Sequence, residues 1–216
     1  MTTIPLLNDS ELIKLIQLIN PSIKPISVEV QPEEYAQENE CIPAVKEKIK
    51  RDGGSQILGW QFWKSDFWIE AEFHSVWKSP CGKLVDITPK TIPIFSNFSM
   101  PISLITFLPD PEIKYAEAQI DNIRKNITDN PVVDDLIEMF KAEFKLLNRG
   151  KRALEYKVEL KDEDADLFSE IRRAKLALYS MVQKGMDRKS DCFCGSNNKY
   201  EDCCYKKIFE ISKHNS

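Results

Sequence analysis

Residues 56–88 read QILGWQFWKSDFWIEAEFHSVWKSPCGKLVDIT, and the fold class turns on them. Three runs, 56–63, 67–77 and 83–88, are dense in aromatic and β-branched residues. Lys64-Ser65-Asp66 and Ser79-Pro80-Cys81-Gly82 separate them. Such residues suit a pleated surface and the separators suit turns, so the stretch predicts consecutive antiparallel strands. Another strand is expected over about 102–108, after a proline-punctuated stretch. In 67–77, alternation puts Ile69, Ala71, Phe73 and Trp77 on one face and Glu70, Glu72 and His74 on the other. His74 therefore falls on the more polar side.

Helices are expected on both sides of this region. Asp9 or Ser10 can cap a first helix with Leu12, Leu15, Ile16 and Ile19 on one face, and Asn20-Pro21 ends it. Residues 26–30, ISVEV, read as a short strand. A second helix spans about 41–51, with Val45 and Ile49 inward and Gly53-Gly54 stopping it. Further on, 129–149 is the clearest helix. Thr128 or Asp129 caps it, Pro131 sits in its first turn, and Val133, Ile137, Phe140, Phe144 and Leu147 form its stripe. Residues 153–160 alternate like a strand, and a helix follows over about 164–184. The fold class is α+β: an antiparallel sheet over about 56–108 packed with helices. Residues 185–190, GMDRKS, read as a flexible joint. The expected domains are thus 1–188 and 189–216.

The 216 residues are 42% hydrophobic and 30% charged, enough for one sizeable core plus an appendage. A net charge of −4 exerts no overall pull on nucleic acid or anionic membrane, so a nucleic-acid partner is not expected. The opening MTTIPLLNDSELIKLIQLIN has no basic leader and is interrupted by Asp9 and Glu11. It reads as neither a signal peptide nor a membrane span. The expected location is the cytoplasm, where thiols stay reduced. The six cysteines are therefore read as ligands, nucleophiles or core residues before disulfides.

Four of them cluster in the tail, DCFCGSNNKYEDCC over residues 191–204. Cys192 and Cys194, an eight-residue polar loop, then Cys203 and Cys204 bring four thiolates to one point. Zinc takes four such ligands in a tetrahedron, and so short a segment cannot fold on apolar burial alone. One structural Zn2+ per chain is expected, with no open position for catalysis; two disulfides or loose thiols are the alternative. The segment resembles the SEC-C motif found at the C-terminus of the preprotein-translocase motor. Gly195, Ser196, Lys199 and Tyr200 match that motif as well as the four cysteines, while Phe193, Asn197-Asn198 and Glu201-Asp202 depart from it. The resemblance implies a protein partner recruited through the knuckle.

A second constellation involves Cys41, His74 and Asp86. His74 is one of two histidines, and the other, His214, lies in the last three residues. Cys41 stands at the expected start of a helix, where free N–H groups and the helix dipole stabilise a thiolate. Asp86 follows His74 by one hairpin, and a carboxylate beside an imidazole fixes its tautomer and stabilises its charged form. A three- or five-residue turn would put His74 and Asp86 on one face, whereas a four-residue turn would oppose them. Asn39 and the N–H groups of the helix start are candidates for holding an oxyanion. The order of these residues resembles transglutaminase-like and papain-like cysteine peptidases. Over nearly the whole chain, stretches such as Asn39-Glu40-Cys41, Gly59-Trp60-Gln61 and Asp86-Ile87-Thr88-Pro89 resemble bacterial SEC-C proteins of unassigned function. These readings imply a cysteine-dependent hydrolase or acyl transferase acting on peptide or amide bonds. The competing expectation is a non-catalytic protein-binding adaptor in which Cys41 is a small buried hydrophobe.

Overall fold

The Asp9 side chain accepts hydrogen bonds from the N–H groups of Glu11 and Leu12 and so opens α1 (Ser10–Ile19) as its sequence predicts. The computed structural model describes residues 2–95, 98–154 and 158–214. These fall into two compact units, Met1–Lys114 and Tyr115–Ser216. The division differs from the boundary expected at 188, which falls inside the second unit.

The first unit continues with β1 (Ile26–Val30), α2 (Cys41–Asp52), β2 (Ser55–Lys64), β3 (Trp68–Lys78) and β4 (Leu84–Asp86). A hairpin of β5 (Thr91–Phe95) and β6 (Phe98–Pro101) follows, and then β7 (Leu104–Pro109). β2 and β3 pair antiparallel from Ser55↔Lys78 to Lys64↔Ile69. β2 also pairs with β7, β7 with β1, β1 with β4, and β4 with β3, so five strands close into a barrel. Only β1–β4 is parallel, with Glu29↔Val85 and Val30↔Asp86 in register. The expected antiparallel sheet is therefore a mixed barrel. The short strand ISVEV carries alternation but no local mark of its two distant partners, so its insertion between β7 and β4 was not readable.

Closure depends on Gly59. A Cβ there would lie 2.1 Å from the Leu108 carbonyl oxygen and 2.6 Å from the Phe107 ring. Only a residue without a side chain lets β7 approach β2 this closely. Inside the barrel, Val28, Val30, Val76, Ile105 and Phe107 pack together from three strands. His74 lies two residues before Val76 and so shares this interior face. The polar side of β3 thus faces inward. Its other side is buried as well: Ile69 and Ala71 are inaccessible, and α1 lies against this strand with Leu12, Leu15 and Ile16 buried. α2 packs outside β4, where Ala44 and Val45 meet Val85 and Ile87. Each such valine, leucine or isoleucine side chain contributes about 1.5–3 kcal/mol when fully buried.

The second unit holds β8 (Ile123–Asn126), α3 (Pro131–Leu147), α4 (Asp162–Gln183) and α5 (Cys204–His214). The cap of α3 is Asn130, whose side chain accepts from the Val132 N–H, one or two residues later than expected. Among the described residues, nothing of the strand expected over 153–160 is formed. Gly150–Leu154 is a 3-10 turn, 158–160 belong to no regular element, and 155–157 lie outside the described residues. The expected flexible joint is tied down: the Asn130 amide donates to the Met186 carbonyl at 2.8 Å, and Arg188 pairs with Asp135. Among the described residues, no helix is long and apolar enough to cross a membrane.

Candidate functional site

The tail folds around its four cysteines. The Cys192 N–H donates to the Asn198 carbonyl at 2.8 Å, and Asp191 bridges Lys199 across the loop. Gly195 and Asn197 take φ of 76° and 61°, left-handed conformations that glycine and asparagine accept most readily. A 3-10 turn over Tyr200–Asp202 then delivers Cys203, and Cys204 opens α5. All four Sγ atoms lie within 4.8 Å of one another, and Cys194 and Cys203 are 3.5 Å apart. A tetrahedral ion with metal–sulfur bonds of about 2.3 Å needs sulfur–sulfur edges of about 3.8 Å, so the cluster fits one. All four are free thiols. These cysteines can hold a metal ion.

One carboxylate anchors this loop to the helices. Asp135 of α3 is buried and accepts from Arg188 twice, at 3.0 Å from Nε and 2.5 Å from Nη2. The Tyr200 hydroxyl, on a side chain with no exposed surface, donates to the same carboxylate at 3.2 Å. Burial first, and then the negative charge of Asp135, push the Tyr200 hydroxyl pKa well above its usual value. The Arg188 guanidinium also stacks 4.4 Å from the Tyr205 ring. Sequence reasoning passed over Asp135, although an acid four residues before Met139 on an apolar helix stripe was a usable signal.

In the barrel, the structure brings His74 and Asp86 together. Lys78↔Leu84 is the last pair before the turn, leaving the five residues 79–83 between the strands. The Ser79 hydroxyl accepts from the Lys83 N–H at 2.9 Å and fixes that length. Five is one of the counts that keep His74 and Asp86 on one face. His74 Nε2 lies 3.0 Å from Asp86 Oδ2, with the two side chains 3% and 0% exposed. The N–H and hydroxyl of Thr88 donate to Asp86 Oδ1 at 3.0 and 2.5 Å. Lys90 Nζ stands 3.5 Å from Oδ2. The His74 and Phe107 rings meet nearly perpendicular, with centroids 6.3 Å apart.

These neighbours set the charge states. Burial pulls the His74 pKa down and Lys90 adds to that pull, but Cys41 and Asp86 outweigh both and raise it to about 9. Burial works against the Asp86 carboxylate, yet His74, Lys90 and Thr88 bring its pKa down to about 2. Among the described residues, no hydrogen bond joins the Cys41 sulfur to the His74 ring. Cys41 is the first residue of α2 and half-buried. Because Asp86 occupies Nε2, Nδ1 is the ring nitrogen left for a thiol. Asn39 is exposed in the turn before α2, with φ of 65°. Gln61 was not anticipated: it is 0% exposed, and neither amide atom has a hydrogen-bond partner among the described residues. Compared with family models, with curated proteins and with solved structures, the chain matches none.

Proposed function

We propose that the barrel carries out cysteine-dependent acyl chemistry on peptide or amide bonds, and that the tail is a SEC-C-type knuckle holding one structural zinc ion. The observation that carries this reading is the 3.0 Å bond between Asp86 and His74 Nε2, with Cys41 at the head of α2. The Cys41 thiolate attacks the acyl carbon and forms a carbon–sulfur bond. N–H groups at the start of α2, with Asn39, hold the oxyanion. The His74 imidazolium gives its proton to the departing amine as the carbon–nitrogen bond breaks, leaving a thioester and a neutral ring. Water, or an acceptor amine, then gives a proton to His74 as it attacks the thioester, and Cys41 is restored. Asp86 orients the ring throughout. The zinc assignment follows from four soft ligands at tetrahedral spacing, and the knuckle recruits a protein partner.

Iodoacetamide labelling near neutral pH tests the acyl reading. Cys41 should react faster than free cysteine, and His74→Ala should slow it without unfolding the protein. Free cysteine is a better reference than Cys81, since the Ser79 hydroxyl, 3.1 Å from the Cys81 sulfur, lowers that thiol's pKa. Cys41 labelling no faster than the reference would end this reading. The enclosure of both His74 and Asp86 favours the second one, a protein-binding adaptor in which the pair is a barrel strut. Metal analysis should find close to one zinc per chain, lost in Cys203→Ser.

A further inference from the structure

Asp86 Oδ2 has two cations on it. Thr88 takes Oδ1 with both its N–H and its hydroxyl, so His74 at 3.0 Å and Lys90 at 3.5 Å share the other oxygen. The Lys90 side chain is only 10% exposed, and its backbone carbonyl accepts from the Ile102 N–H at 3.0 Å, which holds it in place. Asp86 is the only carboxylate within 4 Å of its ammonium among the described residues. A lysine brought this far out of water beside an already paired carboxylate carries a desolvation cost.

We propose that Lys90 is a positioning residue: by competing with His74 for Oδ2 of Asp86, it keeps the imidazole able to give up its proton. This rests on the acyl-transfer reading, in which His74 must both hold and release a proton. Asp86 alone would hold the imidazole proton more tightly still. The ammonium cancels part of that attraction without displacing the bond that orients the ring. The groups facing His74 are few. From α2 there is Cys41, and from β4 and the residues after it Asp86 and Lys90. From β2, Gly59 and Gln61 are uncharged, and β7 offers the Phe107 ring. Glu72, on the His74 side of β3, accepts from the Trp63 indole at 2.5 Å.

The test is a nitrogen-15 NMR titration of the His74 ring in the full metal-loaded chain, for the wild type, Lys90→Met, Lys90→Gln and Lys90→Arg. Losing the positive charge should move the His74 midpoint up by about one pH unit, as expected for one nearby charge. Lys90→Arg should keep the wild-type midpoint. A lysine that only braces the loop would leave the midpoint unchanged, or let it fall toward the free-histidine value as the pair loosens. Either result overturns the proposal. So does failure of both uncharged variants to fold while Lys90→Arg folds with an unchanged midpoint. The midpoint is read on His74 whatever Cys41 does. An upward shift with an unreactive Cys41 would sink the acyl reading alone, and a reactive Cys41 without the shift would sink only the role of Lys90.

Discussion

Asp86 and His74 tie stability to pH in opposite directions. The His74 pKa rises from 6.5 to about 9 on folding, so its contribution is complete below about pH 6.5 and is lost as pH rises through 9. Asp86 falls from 3.8 to about 2, so its contribution is complete above about pH 4 and is lost as pH falls through 2. Both act fully between about pH 4 and 6.5. The wild-type barrel should therefore melt at a lower temperature at pH 9.5 than at pH 6, by a loss on the order of 3 kcal/mol. His74→Gln should flatten that slope, and a slope unchanged in the variant would disprove the linkage. That Asp86 could meet His74 across the hairpin was legible from their spacing, but the burial of the pair was not. Alternation assigned His74 a polar face, and only closure of the barrel turns that face inward.

Among the elements, the closure of β2 on β7 and the docking of the tail on α3 make the sharpest demands. Gly59→Ala would drive a methyl group into the Leu108 carbonyl and the Phe107 ring. It should cost at least about 1–3 kcal/mol, read as a drop in the denaturant midpoint, and a stable variant would mean β7 sits elsewhere. Tyr200→Phe removes one donor from the buried Asp135 and should cost about 1.5–3 kcal/mol in the second unit. A chain ending at 188 keeps Arg188 but loses Tyr200 and Tyr205, and its helices should melt earlier than those of the full chain. Helical boundaries were largely readable because caps and apolar spacing are local, as at Asp9 and α1. β1 was readable as a strand but not as the parallel partner of β4, because pairing across the chain leaves no local trace. α5 went unseen because Ile208 and Ile211 alone make a faint stripe beside the louder cysteine spacing.

For the molecule as a whole, the two units should respond differently to metal removal. Four mutually close cysteine sulfurs gather residues 191–204, and Asp135 links that loop to α3. Chelation should raise amide exchange over 186–214 and along α3, while protection across 55–64 and 68–78 stays intact. Equal loss in the barrel strands would show that the chain unfolds as one cooperative body. The turn over 79–83 matters at the scale of the gene as well. Its five residues fix which side of the barrel wall Asp86 meets. Deleting one codon there reverses every β4 side chain, sending the carboxylate out toward α2 and Val85 in toward His74. Deleting two restores the parity with a tighter loop. In any lineage carrying this barrel, selection on that hairpin would act on odd and even length changes differently, whatever the residues themselves spell.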